Sequence, residues 1–109
     1  MELQIILAII WLHFIADFLL QTDYMALNKC KSISALSFHC IVYSIPFLAF
    51  GPEYALLAGM FHFPVDFVTS KITAKLYEQQ RIGLFFKVIG LDQAIHMTVL
   101  VLTFEYFFS

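Results

Sequence analysis

The chain has 109 residues, 61% of them hydrophobic and 13% charged, and a formal net charge of −2. Soluble domains carry about 45–50% apolar and about 25% charged residues, so this composition leaves too little polar surface to clothe a water-soluble fold, and the length allows one domain, residues 1–109. No basic arm and no Gly-rich phosphate loop points to nucleic acid or nucleotide as a partner.

Four apolar stretches follow in chain order, and a bilayer-spanning helix needs about 20 such residues. The first, residues 3–22, carries His13, Asp17 and Gln21, has no basic leader and shows no small-x-small cleavage site, so it reads as a permanent helix. A polar segment, 23–33, holds Asp23, Asn28, Lys29 and Lys31. The second stretch, 34–50, carries His39 with Tyr43 one turn on, and ends at Gly51-Pro52. The third, 54–77, carries His62 and Asp66, continued on the same side by Thr69, Ser70 and Thr73. After residues 78–83 the fourth, 84–108, carries Asp92 and His96. Short connections predict an all-α integral membrane protein, an up-down-up-down bundle of four transmembrane helices, because lipid leaves no backbone group a partner outside its own helix.

All six basic residues (Lys29, Lys31, Lys71, Lys75, Arg81 and Lys87) fall in or beside the first and third connections, while Glu2, Glu53 and Glu105 lie at the other end. The positive-inside rule then predicts cytoplasmic basic connections and both termini outside, in a multi-pass plasma-membrane protein.

Every histidine and three of the four aspartates lie inside the predicted spans. Residues four apart share a helix face, so His13/Asp17, His62/Asp66 and Asp92/His96 are stacked pairs. The third pair is reversed because its helix runs back outward. At about 1.5 Å per residue, Asp17, His39, Asp66 and Asp92 fall at one depth near the cytoplasmic face, with His13, His62 and His96 about one turn deeper. An aspartate at mid-span costs about 2.5–3.5 kcal/mol on insertion scales, so the seven groups are expected to face one another.

Imidazole and carboxylate ligands at i and i+4 on bundle helices suit a divalent metal, Zn²⁺, Mn²⁺ or Fe²⁺. Seven candidates exceed one tetrahedral set, which implies two metals or one metal with Asp–His pairs orienting its ligands. Such a metal could activate water against a lipid-linked substrate. Alternative readings are a proton or cation relay, a non-catalytic membrane interaction protein, and Asp–His hydrogen bonds that only fix helix register. Cys30 and Cys40 lack CxxC spacing and read as free thiols. Ala55-x-x-x-Gly59 and Gly90-x-x-x-Ala94 read as close helix contacts, with oligomerisation open.

The hexapeptide HFIADF (13–18) returns as HFPVDF (62–67). Each copy precedes a basic connection and a His-bearing helix, which predicts two parallel-repeat helical hairpins, the second being the less regular, with the longer connection. HFIADFLLQTDYMALNK (13–29), His39 and LDQAIHM (91–97) together resemble the bacterial and phage membrane proteins grouped as domain of unknown function 3307. The resemblance spans nearly the whole chain, with H-x-x-x-D-F-x-x-Q-T and D-Q-x-x-H its most specific runs. It implies a small membrane protein with the His/Asp set as a shared feature, and no assigned activity.

Overall fold

The computed structural model describes residues 2–108, and every regular element among them is helical. Helix α1, Leu3–Phe14, passes directly into a π-helical turn, Ile15–Leu19. There the Leu20 N–H reaches back five residues to the Ile15 carbonyl at 2.9 Å. The first apolar stretch is therefore not one α-helix to residue 22, and the π turn carries Asp17. Single π turns insert one extra residue into the helical register and recur at functional sites.

The polar segment 23–33 is not a plain loop either. Thr22 caps a short helix α2, Asp23–Asn28, its Oγ1 accepting from the Met25 N–H at 3.2 Å, which satisfies one of the orphan donors of a helix start. Met25 is buried, so α2 folds back against the bundle. Ser32 caps α3, Ile33–Ser44, in the same way through the Ala35 N–H. A 3₁₀ segment, Ile45–Phe50, continues α3 because Pro46 has no N–H with which to extend the α-helical ladder.

Gly51 then turns the chain at φ +106°, a conformation disfavoured for residues with a Cβ. Helix α4, Pro52–Glu78, follows and runs unbroken through Pro64. Its end is a Schellman turn, with Gln80 at φ 60°, the Gln80 N–H on the Tyr77 carbonyl and the Arg81 N–H on the Leu76 carbonyl. Helix α5, Ile82–Phe108, returns along α4. The second hairpin is thus the more regular of the two and has the shorter connection, contrary to the sequence expectation. Its Schellman turn reverses the chain within three residues.

Helix α4 packs chiefly on α5 and then on α3. A Cβ added at Gly59 would lie 3.1 Å from the Cys40 carbonyl oxygen and 3.2 Å from the Ser44 Cβ, so this small residue sets the α3–α4 approach, as the Ala55-x-x-x-Gly59 spacing suggests. Gly59→Val should push the two helices apart and cost about 1–3 kcal/mol, read as a lower apparent Tm in detergent. An unchanged Tm would show that the contact is not tight.

At the end holding both termini, an apolar cluster of Ile9, Ala16, Tyr43, Phe47, Tyr54, Ala55, Ala58 and Leu100 fills the interior. The Tyr54 hydroxyl donates to the Leu100 carbonyl there, at 2.8 Å. Outside, the surface is apolar: Leu3, Trp11, Phe38, Ile41, Leu56, Met60, Leu91 and Leu102 are all more than half exposed. Two helical segments, Ile33–Phe50 and Ile82–Phe108, are long and apolar enough to cross a membrane. The Leu3–Leu19 helix is apolar but shorter. Helix α4 has the length, but His62, Asp66, Thr69, Ser70 and Lys71 make it too polar on average to qualify by hydropathy.

Candidate functional site

Below the apolar cluster, the interior is polar. All seven residues singled out from sequence (His13, Asp17, His39, His62, Asp66, Asp92 and His96) are buried, none more than 9% exposed. They form one contiguous group. The sequence brings them together because each His/Asp pair spaced by four occupies one helix face, and the four helices turn those faces inward.

At its centre, His39 Nε2 from α3 and His62 Nε2 from α4 lie 3.1 Å apart. Asp66 Oδ2 is 3.4 Å from each of them. Asp17 Oδ1 approaches the same pair at 3.1 Å and 3.6 Å. Two imidazoles supply few protons for so many facing lone pairs, and the Nδ1 atoms of His39 and His62 are buried without a hydrogen-bond partner among the described residues. Such a concentration of lone pairs asks for a cation. Two overlapping groups, His39/His62/Asp66 and Asp17/His62/His96, have the proximity to hold a metal ion.

The His62 ring is clamped in a stack, 3.8 Å from the Tyr43 ring and 4.0 Å from the His96 ring. Asp92 Oδ1 lies 3.0 Å from His96 Nε2 and accepts the Thr69 hydroxyl.

A second chain of hydrogen bonds orients the carboxylates. Gln93 donates its amide N–H groups to Asp17 Oδ2 at 3.2 Å and Asp92 Oδ2 at 3.1 Å. Its Oε1 is then the acceptor for His13 Nε2–H, at 2.6 Å. That assignment leaves His13 Nδ1 free to accept the Tyr43 hydroxyl at 2.9 Å. One tautomer of His13 satisfies both contacts.

Three residues outside the predicted set are therefore part of the site. Gln93 adjoins Asp92 in the D-Q-x-x-H run, but a neutral amide gives no charge signal. Tyr43 was visible as the residue one turn beyond His39. Lys29 reaches in from the end of α2, its Nζ 3.1 Å from Asp66 Oδ2. Thr22-Asp23 is a helix-start pattern that could have announced α2, but not that α2 folds back and carries this lysine inward. Lys71 turns away, donating to the Cys30 carbonyl at 2.9 Å and lying 4.8 Å above the Phe67 ring. Cys30 and Cys40 are free thiols.

A cavity of about 630 Å³ leads to this group from the end that carries α2 and the α4–α5 turn. Asp17, Asp66, Asp92, Gln93 and the Lys29 ammonium line its inner end, and the exposed Lys31, Tyr77 and Glu78 line its mouth. The apolar cluster closes the opposite side. The cavity is a one-ended vestibule.

Neither the curated proteins nor the solved structures include a match to this chain. Over residues 5–109 it matches the family described as "Protein of unknown function (DUF3307)". That match takes in every element from α1 to α5 and all the residues of the buried group, so the chain belongs to the DUF3307 family.

Proposed function

We propose that the protein is a four-span membrane protein that binds a divalent metal, Zn²⁺, Mn²⁺ or Fe²⁺, and acts as a metal-dependent hydrolase at one membrane face. The observation that carries the metal reading is the His39–His62–Asp66 triangle, with edges of 3.1, 3.4 and 3.4 Å. A tetrahedral ion with bonds of about 2.0–2.2 Å needs ligand-to-ligand edges of about 3.3–3.6 Å, which both edges to Asp66 meet and the His39–His62 edge undershoots slightly. Two histidines and one carboxylate are also the ligand set of open catalytic sites, which keep a position for water or substrate.

Charge supports the same reading. Three buried carboxylates (Asp17, Asp66, Asp92) face one ammonium, Lys29, leaving two negative charges that one divalent cation neutralises. A bound metal would polarise water for attack on a substrate. Asp17, beside the two imidazoles and held by Gln93, is placed to take the proton. His13 and Asp92, through Gln93, then orient the Asp17 carboxylate, and His96 stacks on the His62 ring, rather than bind the metal themselves.

The membrane reading rests on the inverted burial pattern, with ionisable groups inside and large apolar side chains outside. Helices α1 and α4 complete the span set in this reading, their hydropathy lowered by the polar faces they turn inward. The lysine-bearing end faces the bacterial cytoplasm and both termini face outward. The apolar plug favours a site over a conducting path, since its polar side-chain atoms among the described residues are the Tyr43 and Tyr54 hydroxyls, which are taken up by His13 and the Leu100 carbonyl.

Elemental analysis of the protein purified without added metal tests the proposal. About one Zn, Mn or Fe per chain is expected, removable by a strong chelator with a fall in apparent Tm. Metal-free protein whose stability ignores both chelator and added metal would refute it.

A further inference from the structure

The vestibule above the buried group has a chemistry of its own. On α4, the Thr69 hydroxyl has two acceptors for its one proton, Asp92 Oδ1 and the Val65 carbonyl, and Thr73 bonds the Ser70 carbonyl of its own helix. Thr98 and Thr103 do the same on α5. Ser70 does not. Its Oγ is buried with no partner among the described residues, and the residue, only 7% exposed, lines the vestibule. Gln21 Oε1, on the facing wall, is also buried without a partner. A buried hydroxyl left unpaired in this way costs free energy unless something that enters the cavity completes it.

The charge of the wall indicates what that is. Lys29 and Lys31 line the cavity with Asp17, Asp66 and Asp92 at its inner end and Glu78 near its mouth. With the three aspartates offset by Lys29 and a divalent cation, Lys31 is the ammonium left to meet an anion that reaches the metal. The rest of the lining is largely apolar, including Phe18, Leu27, Phe85 and Ile89. Phe18 and Leu27 are also exposed on the outer surface, 48% and 69%, so the rim is greasy on both sides.

We infer that the vestibule receives a phosphate ester on a hydrocarbon tail. The phosphate sits between the metal-binding triangle, the Ser70 side and the Lys31 ammonium, and the tail lies along the apolar wall toward the rim. An oxyanion with several oxygens can engage metal, hydroxyl and ammonium together, which a cationic or neutral head cannot. A volume of about 630 Å³ accommodates the head and the first part of a chain. This inference rests on the metal reading and names the substrate class of that same site.

The test uses the full chain in dodecyl maltoside, loaded with Mn²⁺, with metal content measured in every sample. Paramagnetic broadening of the ³¹P signal reports binding of dodecyl phosphate or of inorganic phosphate. Saturable broadening of dodecyl phosphate at roughly tenfold lower concentration than inorganic phosphate is expected. At equal manganese content, Ser70→Ala and Lys31→Ala should each weaken it by about tenfold, the scale of one hydrogen bond to a charged group. Lys31 is exposed, so its variant separates lost binding from lost folding.

Full manganese content with no saturable broadening would overturn the inference while leaving the metal site standing. Equal affinity for inorganic phosphate would overturn the tail assignment, and displacement by dodecyltrimethylammonium would overturn the anionic head. Protein that takes up no manganese would instead remove the metal reading itself, and the inference with it.

Discussion

Replacing His39 by alanine should leave the purified protein without its metal. His39 is fully buried, and its Nε2 lies within 3.4 Å of His62, Asp17 and Asp66, so it is the group through which the ligand atoms meet. Structural zinc sites are worth about 10–16 kcal/mol in small domains. An even share for one ligand of four is about 3 kcal/mol, or about a 100-fold loss of affinity. His39→Cys restores a metal-binding atom at the same position and should keep more metal than the alanine variant. Lys71→Ala, on the exposed side of α4, should keep all of it. Equal metal content in His39→Ala and Lys71→Ala, measured on folded protein, would dismiss the triangle as the binding site.

The second large effect is a change of sign. With metal bound, Asp17→Asn removes a carboxylate that helps neutralise the cation, and apparent Tm should fall. Without metal, the same change removes one of two uncompensated buried charges, each of which carries a desolvation penalty of several kcal/mol, and apparent Tm should rise. Thermal melts of wild type and variant, with excess zinc and with excess chelator, read both arms. A variant destabilised equally in both conditions would mean that Asp17 serves only as a hydrogen-bond partner for His39 and Gln93.

The buried group was legible because its signal is chemical and periodic. His and Asp four residues apart in otherwise apolar stretches have one inexpensive arrangement, facing inward together, and the reversed order of Asp92 and His96 follows from helix direction. The bounds of α4 and α5 were readable for a similar reason. Gly51-Pro52 punctuates the chain, and basic and polar residues end each apolar run. The π turn was not readable, since Ile15–Leu19 differs from an α-helix by a shift of backbone hydrogen bonds that no side chain announces. Lys29 was hidden because its role depends on α2 folding back over the vestibule. The identity of the substrate has no motif at all, and only the unpaired Ser70 hydroxyl and the composition of the cavity wall speak to it.

The one-ended vestibule has an electrical consequence. In the proposed orientation, water in the cavity joins the metal-binding residues to the cytoplasm, while Ile9, Phe47, Tyr54 and Leu100 form a dry, low-dielectric wall on the other side. The membrane voltage, worth about 2.3 kcal/mol per unit charge at 100 mV, then falls almost wholly across that wall. An ion moving from the cytoplasm to the site crosses almost none of it. Under that proposal, occupancy would follow cytoplasmic concentration and pH, and depolarising the membrane would leave it unchanged.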